Sequence, residues 1–196
     1  YGSSVMGITA CGPTCLSMVV IGLTGNTSAT PARIADYAES AGHYVSGAGT
    51  AWSLFTQGAG DFGVKCETIS TDEETMRSRL ENGEIIIASM LPGDFTTSGH
   101  FIVIYDRGLF GFNVYDPNSV ELSRKTWSFE KLSGQIAQLW SFSAASASGG
   151  NSLAGSTWYA DCEEFITLRS APSTSADAVT TIPKGAQMTY ISASGE

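Results

Sequence analysis

The sequence predicts the α+β class: helices first, then a mostly antiparallel sheet, with a small all-β unit behind a linker. Three observations carry this. Helix-like segments cluster early in residues 1–142 and strand-like segments cluster late, which is not the alternation of βαβ units. Residues 143–157, SAASASGGNSLAGST, lack hydrophobic periodicity and are rich in small residues, the composition of a flexible linker. From residue 158 to 196, short alternating stretches are separated by turn residues.

The elements follow in order. Gly12-Pro13 stands directly before the largely apolar run Thr14–Leu23, and proline suits a first helical turn because its missing donor has no intrahelical partner there. Gly25 follows, where helices commonly stop. A second helix is predicted over Pro31–Ser40, with Thr30 as cap and Pro31 at the first position. A weaker third covers about Ala51–Gly58. Thr71 followed by Glu74 reads as a capping box, which opens a fourth helix to about Glu81, before Asn82-Gly83. Strands are then predicted at Glu84–Leu91, His100–Asp106, Phe112–Tyr115 and about Ile136–Phe142, and Cys66 lies in the strand-like VKCETI. In the tail, Phe165–Arg169, Val179–Ile182 and Met188–Ile191 read as strands, the last two separated by Pro183-Lys184-Gly185.

Composition narrows the class of function. The chain has 196 residues, 42% of them hydrophobic, and a mean hydropathy of +0.04, so it is globular. Charged residues are 15%, against a usual value of about 25%. Lys+Arg number 10 and Asp+Glu 19, a net charge of −9, which disfavours nucleic acid and anionic membranes. No stretch approaches the roughly 18 consecutive apolar residues of a membrane span, so no membrane insertion is expected. Four cysteines are too few for a disulfide scaffold, and no pair of CxxC motifs suggests zinc. The chain starts at Tyr1 without a charged-then-apolar leader, which by itself says nothing about export.

Cys11 is the first candidate for chemistry. Unpaired amides and the positive end of a helix dipole favour a thiolate there, and the adjacent glycine lets a substrate backbone come close. A small buried residue at the start of a helix would read the same way. Cys15, one turn on among Leu16, Met18, Val19 and Val20, is expected in the core. A thiol nucleophile needs a base, and the chain has two histidines. His100 opens an apolar strand after Gly99. His43 follows Gly42 just past a helix end, where a solvated surface histidine is usual. His100 is therefore favoured. Asp116 ends the next strand, and in an antiparallel hairpin the start of one strand lies beside the end of the next. Asp116 thus falls where it could orient the base, while Asp116-Pro117-Asn118 also suits a plain turn.

Taken together, Cys11-Gly12-Pro13-Thr14 before an apolar helix, Gly99-His100-Phe101-Ile102-Val103-Ile104 and Tyr115-Asp116-Pro117-Asn118 resemble the papain-like cysteine peptidases of the bacteriocin-processing, double-glycine leader peptidase-like type. The resemblance covers residues 1–142 and is closer to stand-alone extracellular bacterial relatives. It implies a papain-like fold, with a nucleophile helix packed on an antiparallel sheet that carries the base. Carried over by position, Cys11 is the nucleophile, His100 the general base and then acid, and Asp116 the orienting residue, for acyl transfer from a peptide bond through a thioester. One departure stands out. The family commonly has a glutamine shortly before the cysteine as oxyanion donor, and the stretch Ser3 to Ala10 has none. Losing one such donor typically costs about 100–1,000-fold in turnover.

The tail resembles a bacterial SH3-type domain in Ile166–Thr174 and Ile182-Pro183-Lys184-Gly185. Such domains usually run longer, so this copy is expected to be truncated. They imply cell-wall peptide or protein partners and an extracellular or cell-surface location. In an oxidising setting Cys66 and Cys162 could pair. The expected domains are therefore a peptidase at 1–142, a linker at 143–157 and an SH3-like unit at 158–196. The expected function is a bacterial cysteine peptidase acting on a peptide or protein substrate. Two alternatives are a peptidoglycan stem-peptide hydrolase and a peptide-binding relic of the same fold. The motif CGPT favours the processing type. Tyr44, Trp52 and Gly47-Ala48-Gly49 are candidates to line a cleft, although core packing explains Trp52 equally well. Nothing calls for a cofactor or a metal.

Overall fold

The apolar run after Cys11 folds as a helix, α1 (Cys11–Thr24), closed by Gly25 in the left-handed conformation at φ 70. This computed structural model describes residues 10–47, 49–108, 110–145, 157–159, 165–169 and 177–189. Helix α2 (Pro31–Ser40) has the predicted borders, and its Thr30 side chain accepts from the Arg33 amide. The chain turns at Gly42 into a short hairpin, β1 (Tyr44–Val45) and β2 (Gly49–Thr50). The third helix is shorter than expected. It breaks into α3 (Ser53–Thr56) and a 3-10 turn at Gly58–Phe62. After β3 (Val64–Ile69), helix α4 (Glu73–Glu81) is capped by Asp72, not by Thr71, because the Asp72 carboxylate accepts from the Thr75 amide at 2.8 Å.

The remaining elements of this part are β4 (Ile85–Met90), β5 (His100–Gly108), β6 (Gly111–Tyr115), α5 (Val120–Ser123), β7 (Thr126–Trp127), α6 (Phe129–Ser133) and β8 (Ile136–Ala144). They form a six-stranded sheet in the order β3-β8-β4-β5-β6-β7, antiparallel throughout. The class is thus α+β, as predicted.

Both faces of this sheet are buried, which explains why Ile85-Ile86-Ile87 does not alternate with polar residues. On one face Ile87, Phe101, Val103, Trp140 and Phe142 pack with Leu16, Val19 and Val20 of α1 and Ile34 of α2. On the other, Ile86, Ile102, Ile104, Phe112 and Val114 pack with Met76 of α4 and Leu132 of α6. Truncating one of these large side chains to alanine costs about 2–5 kcal/mol. Helix α1 is therefore pinned along its length, and its first residue lands at a fixed place above the sheet. Among the described residues, no helix is long and apolar enough to cross a membrane.

The chain divides into two compact units, residues 1–145 and 146–196. In the second, β9 (Thr157–Tyr159) pairs with β12 (Gln187–Thr189), and β10 (Phe165–Arg169) pairs with β11 (Ala178–Pro183), both antiparallel. The expected linker lies mostly outside the described residues. Its first two positions belong to β8, which runs to Ala144.

Candidate active site

Cys11 is the first residue of α1. Ala10, at the cap position, offers no side-chain acceptor, the first turn holds no acid, and Pro13 has no N–H. The Cys11 and Gly12 amides at this end consequently have no partner within the helix. The hairpin closes over this turn. A Cβ at Gly12 would stand 2.6 Å from the Thr50 side chain, so glycine is required there by close approach. Thr50 is a site neighbour that the sequence did not flag, and its Oγ1 is buried with no hydrogen-bond partner among the described residues.

His100 opens β5 and is paired across the sheet with Met90. Val103 is registered with Tyr115, so Asp116, one residue beyond β6, falls diagonally beside His100 on the same face. The His100 Nε2–H donates to Asp116 Oδ1 at 2.7 Å, with both side chains almost wholly buried. Asp116 is the neighbour of His100 that strand order predicts, and it is also a turn residue. The Asn118 amide donates to Asp116 Oδ1 at 2.8 Å, and the Asp116 amide donates to Ser123 Oγ at 2.8 Å. The second carboxylate oxygen, Oδ2, is buried without a partner among the described residues.

The Cys11 thiol stands within hydrogen-bonding reach of the same imidazole. Because Nε2 is taken by Asp116, Nδ1 is left for Cys11. Burial alone would lower the His100 pKa. The hydrogen bonds and negative charge of Asp116 and Cys11 outweigh it and raise the value from 6.5 to about 9. Those partners favour the charged form of the ring, which is placed between a carboxylate and a sulfur.

The other sequence candidates fall elsewhere. Cys15 is fully buried in the core, as expected, and its thiol donates to the Phe101 carbonyl at 3.3 Å. Burial, followed by the negative character of Cys11 and Asp116, holds its pKa well above the usual thiol range. His43 is not the solvated histidine that its position after Gly42 suggests. It is 7% exposed, because the hairpin folds back and packs the ring near Tyr37 and Gly58, with Nδ1 paired to the Ser53 hydroxyl at 2.8 Å. Trp52 is half exposed, and its ring packs edge-on against Trp140. Tyr44 packs against the core, and Ala48 lies outside the described residues. Cys66 carries a free thiol that burial pushes up to about 12, and Cys162 lies outside the described residues. The stretch searched for an oxyanion glutamine does too, except for buried Ala10.

An apolar groove of about 630 Å³ runs along α1, lined by neither Cys11, His100 nor Asp116. Thr14, Met18 and Ile21 of α1 form one wall, and Val103, Tyr105 and Tyr115 of the sheet form another. Thr14, Met18 and Ile21 continue at helical spacing the face that begins with Cys11. Tyr105 and Tyr115 stack with ring centres 4.1 Å apart. That spacing along α1 was the available signal for the groove, but it reads equally well as core.

Comparison with known proteins gives one family. Residues 3–147 match the model of the Peptidase_C39 like family. No curated protein matches the chain. Among solved structures, a C39-like peptidase from Bacillus anthracis aligns with a TM-score of 0.48 and 13% identity, covering 69% of this chain and 88% of its own. Ly7917, solved with the hydrolysing product of MDP, aligns with a TM-score of 0.32 and 16% identity, covering 94% of this chain and 75% of its own.

Proposed function

The chain belongs to the Peptidase_C39 like family, and from that premise we propose that it is a cysteine peptidase with Cys11 as nucleophile, His100 as acid and base, and Asp116 as orienting group. The observation that carries this reading is the His100 ring held at 2.7 Å by a buried carboxylate, with a helix-terminal cysteine at its other side.

The chemistry follows from that placement. The imidazolium and the uncapped end of α1 favour the Cys11 thiolate. The thiolate attacks the carbonyl carbon of a peptide bond, and charge builds on the carbonyl oxygen. The Cys11 amide is the donor available to that oxyanion. The amine leaves with a proton from His100, and a thioester remains on Cys11. Neutral His100 then takes a proton from water as the water attacks the thioester, which releases the acid and restores the thiolate–imidazolium pair. Throughout, Asp116 keeps the ring turned and favours its charged form. The neighbouring groove would receive apolar side chains of the peptide.

The test has two parts. Iodoacetamide or E-64 at pH 6 should label Cys11 rapidly, since an ordinary thiol of pKa about 8.5 hardly reacts there. Peptides cleaved by the wild type and identified by mass spectrometry should be absent with Cys11→Ala. Absence of labelling at Cys11 would leave a binding relic, the reading that the missing glutamine favours. For residues 158–196 we propose an SH3-like module, behind a linker that begins after Ala145, that holds cell-wall peptide outside the cell. The paired strands β9 to β12 support an all-β unit. Retention of the full chain, but not of residues 1–145, on purified peptidoglycan is the expected outcome. With retention, stem-peptide hydrolysis becomes the substrate class to assay first.

A further inference from the structure

The two halves of the proposed site come from distant parts of the chain. Cys11 rides on α1 and His100 on β5, so their contact depends on how a helix is set against a strand. A displacement of about 1 Å between reacting groups can cost about 100-fold in rate. Apart from the contact of Cys11 with His100 itself, one described hydrogen bond joins these two elements: the Cys15 thiol, one turn below Cys11, donates to the carbonyl of Phe101, the residue after His100. It lies where β5 is paired on one side only. Toward β4 the registered pairs include Met90 with His100 and Ser89 with Phe101. Toward β6 the register begins only at Val103 with Tyr115.

We propose that Cys15 is a positioning residue, whose thiol, bonded to the Phe101 carbonyl, sets the nucleophile helix against the strand that carries His100. The proposal rests on the cysteine-peptidase reading of the site. A core filler would serve as well with no donor, but this side chain spends its one proton on the strand of the base. A thiol suits the place. Its S–H donates, and it adds no charge beside Cys11 and Asp116. Burial and those two groups keep it protonated across the working range, so the bond does not switch off with pH. The titratable groups bearing on His100 are Asp116 from the end of β6 and Cys11 from α1.

Cys15→Ala and Cys15→Ser make the test, because they remove similar volume and differ in the donor. Two measurements need no peptide substrate. One is the NMR titration of the His100 ring, distinguished from the other histidine by His43→Gln. The other is the rate of iodoacetamide alkylation of Cys11 against pH, read from the modified peptide. In Cys15→Ala, the His100 midpoint should move down from about 9 towards 6.5, and alkylation near pH 6 should slow by about 10-fold. Cys15→Ser should restore most of both. Equal behaviour of the two variants, or a folded Cys15→Ala with wild-type titration and alkylation, overturns the proposal. If Cys15→Ala does not fold, Cys15→Val is read against Cys15→Ser instead. Loss of folding in both donorless variants, with Cys15→Ser intact, would make the bond structural and overturn the proposal too. A wild type that cleaves no peptide, yet shows the Ala–Ser difference, would sink the peptidase reading and leave this one standing.

Discussion

His43 and His100 occupy comparable surroundings. They are 7% and 5% exposed, and each has one ring nitrogen in a short hydrogen bond, at 2.8 and 2.7 Å. What separates them is the partner. Ser53 offers His43 a neutral hydroxyl, and a tyrosine ring packs alongside. Asp116 offers His100 a buried carboxylate, and a cysteine at a helix end stands on its far side. Burial and a hydrogen bond therefore do not mark a catalytic histidine. Under the proposed assignment, a negative group opposite a nucleophile does, because only there is the charged ring stabilised where its proton can be used.

The largest expected effect tests that contrast directly. His100→Ala should lower peptide turnover by about 100- to 10,000-fold, the range for a lost acid–base group. His43→Ala should change turnover by less than about 3-fold, while costing stability. Comparable losses in the two variants would erase the distinction.

Asp116→Asn comes next. Burial is the strongest single influence on His100, and it pulls the pKa down. With the carboxylate gone, the midpoint should fall from about 9 to below 6.5, and Cys11 alkylation at pH 6 should drop about 10-fold or more. A midpoint that stays near 9 would mean that Asp116 is not what holds the charge.

The same shift has a consequence for folding. A group whose pKa is raised on folding stabilises the protein in full below its unfolded value, and this is lost as pH rises through the folded value. For His100 the window runs from about 6.5 to about 9. Wild-type Tm should decline across it by a few degrees more than that of His100→Gln, as followed by calorimetry. Parallel curves would refute it.

What could be read from the sequence was what local chemistry decides. Thr30-Pro31 fixes the start of α2, Gly25 the end of α1, and strand order alone puts Asp116 beside His100. What could not be read was set by distant packing. Thr71 and Asp72 are both capping residues, and only the folded chain shows which one reaches the Thr75 amide. The two-residue strands β1 and β2 are too short to carry a period, so neither the burial of His43 nor the approach of Thr50 to Gly12 was visible. The core position of Cys15 was legible, but its partner lies 86 residues away.

The smallest effect asks whether the His43 region touches the chemistry at all. A physical route exists. The Ala51 amide donates to the His43 carbonyl, Tyr44 pairs with Thr50, and Thr50 stands on Gly12 beside Cys11. Ser53→Ala removes the ring's partner and leaves a buried nitrogen unpaired, at a cost of about 1–3 kcal/mol. That should lower Tm by several degrees. The hairpin is also held by its backbone pairs and by the Thr50–Gly12 packing, neither of which needs the Ser53 hydroxyl. Turnover at saturating peptide should therefore stay within about 2-fold of wild type, as expected of a loss that leaves the reacting groups in place. A fall matching that of Asp116→Asn would show that the hairpin sets the geometry of Cys11, and the two histidines would then belong to one site.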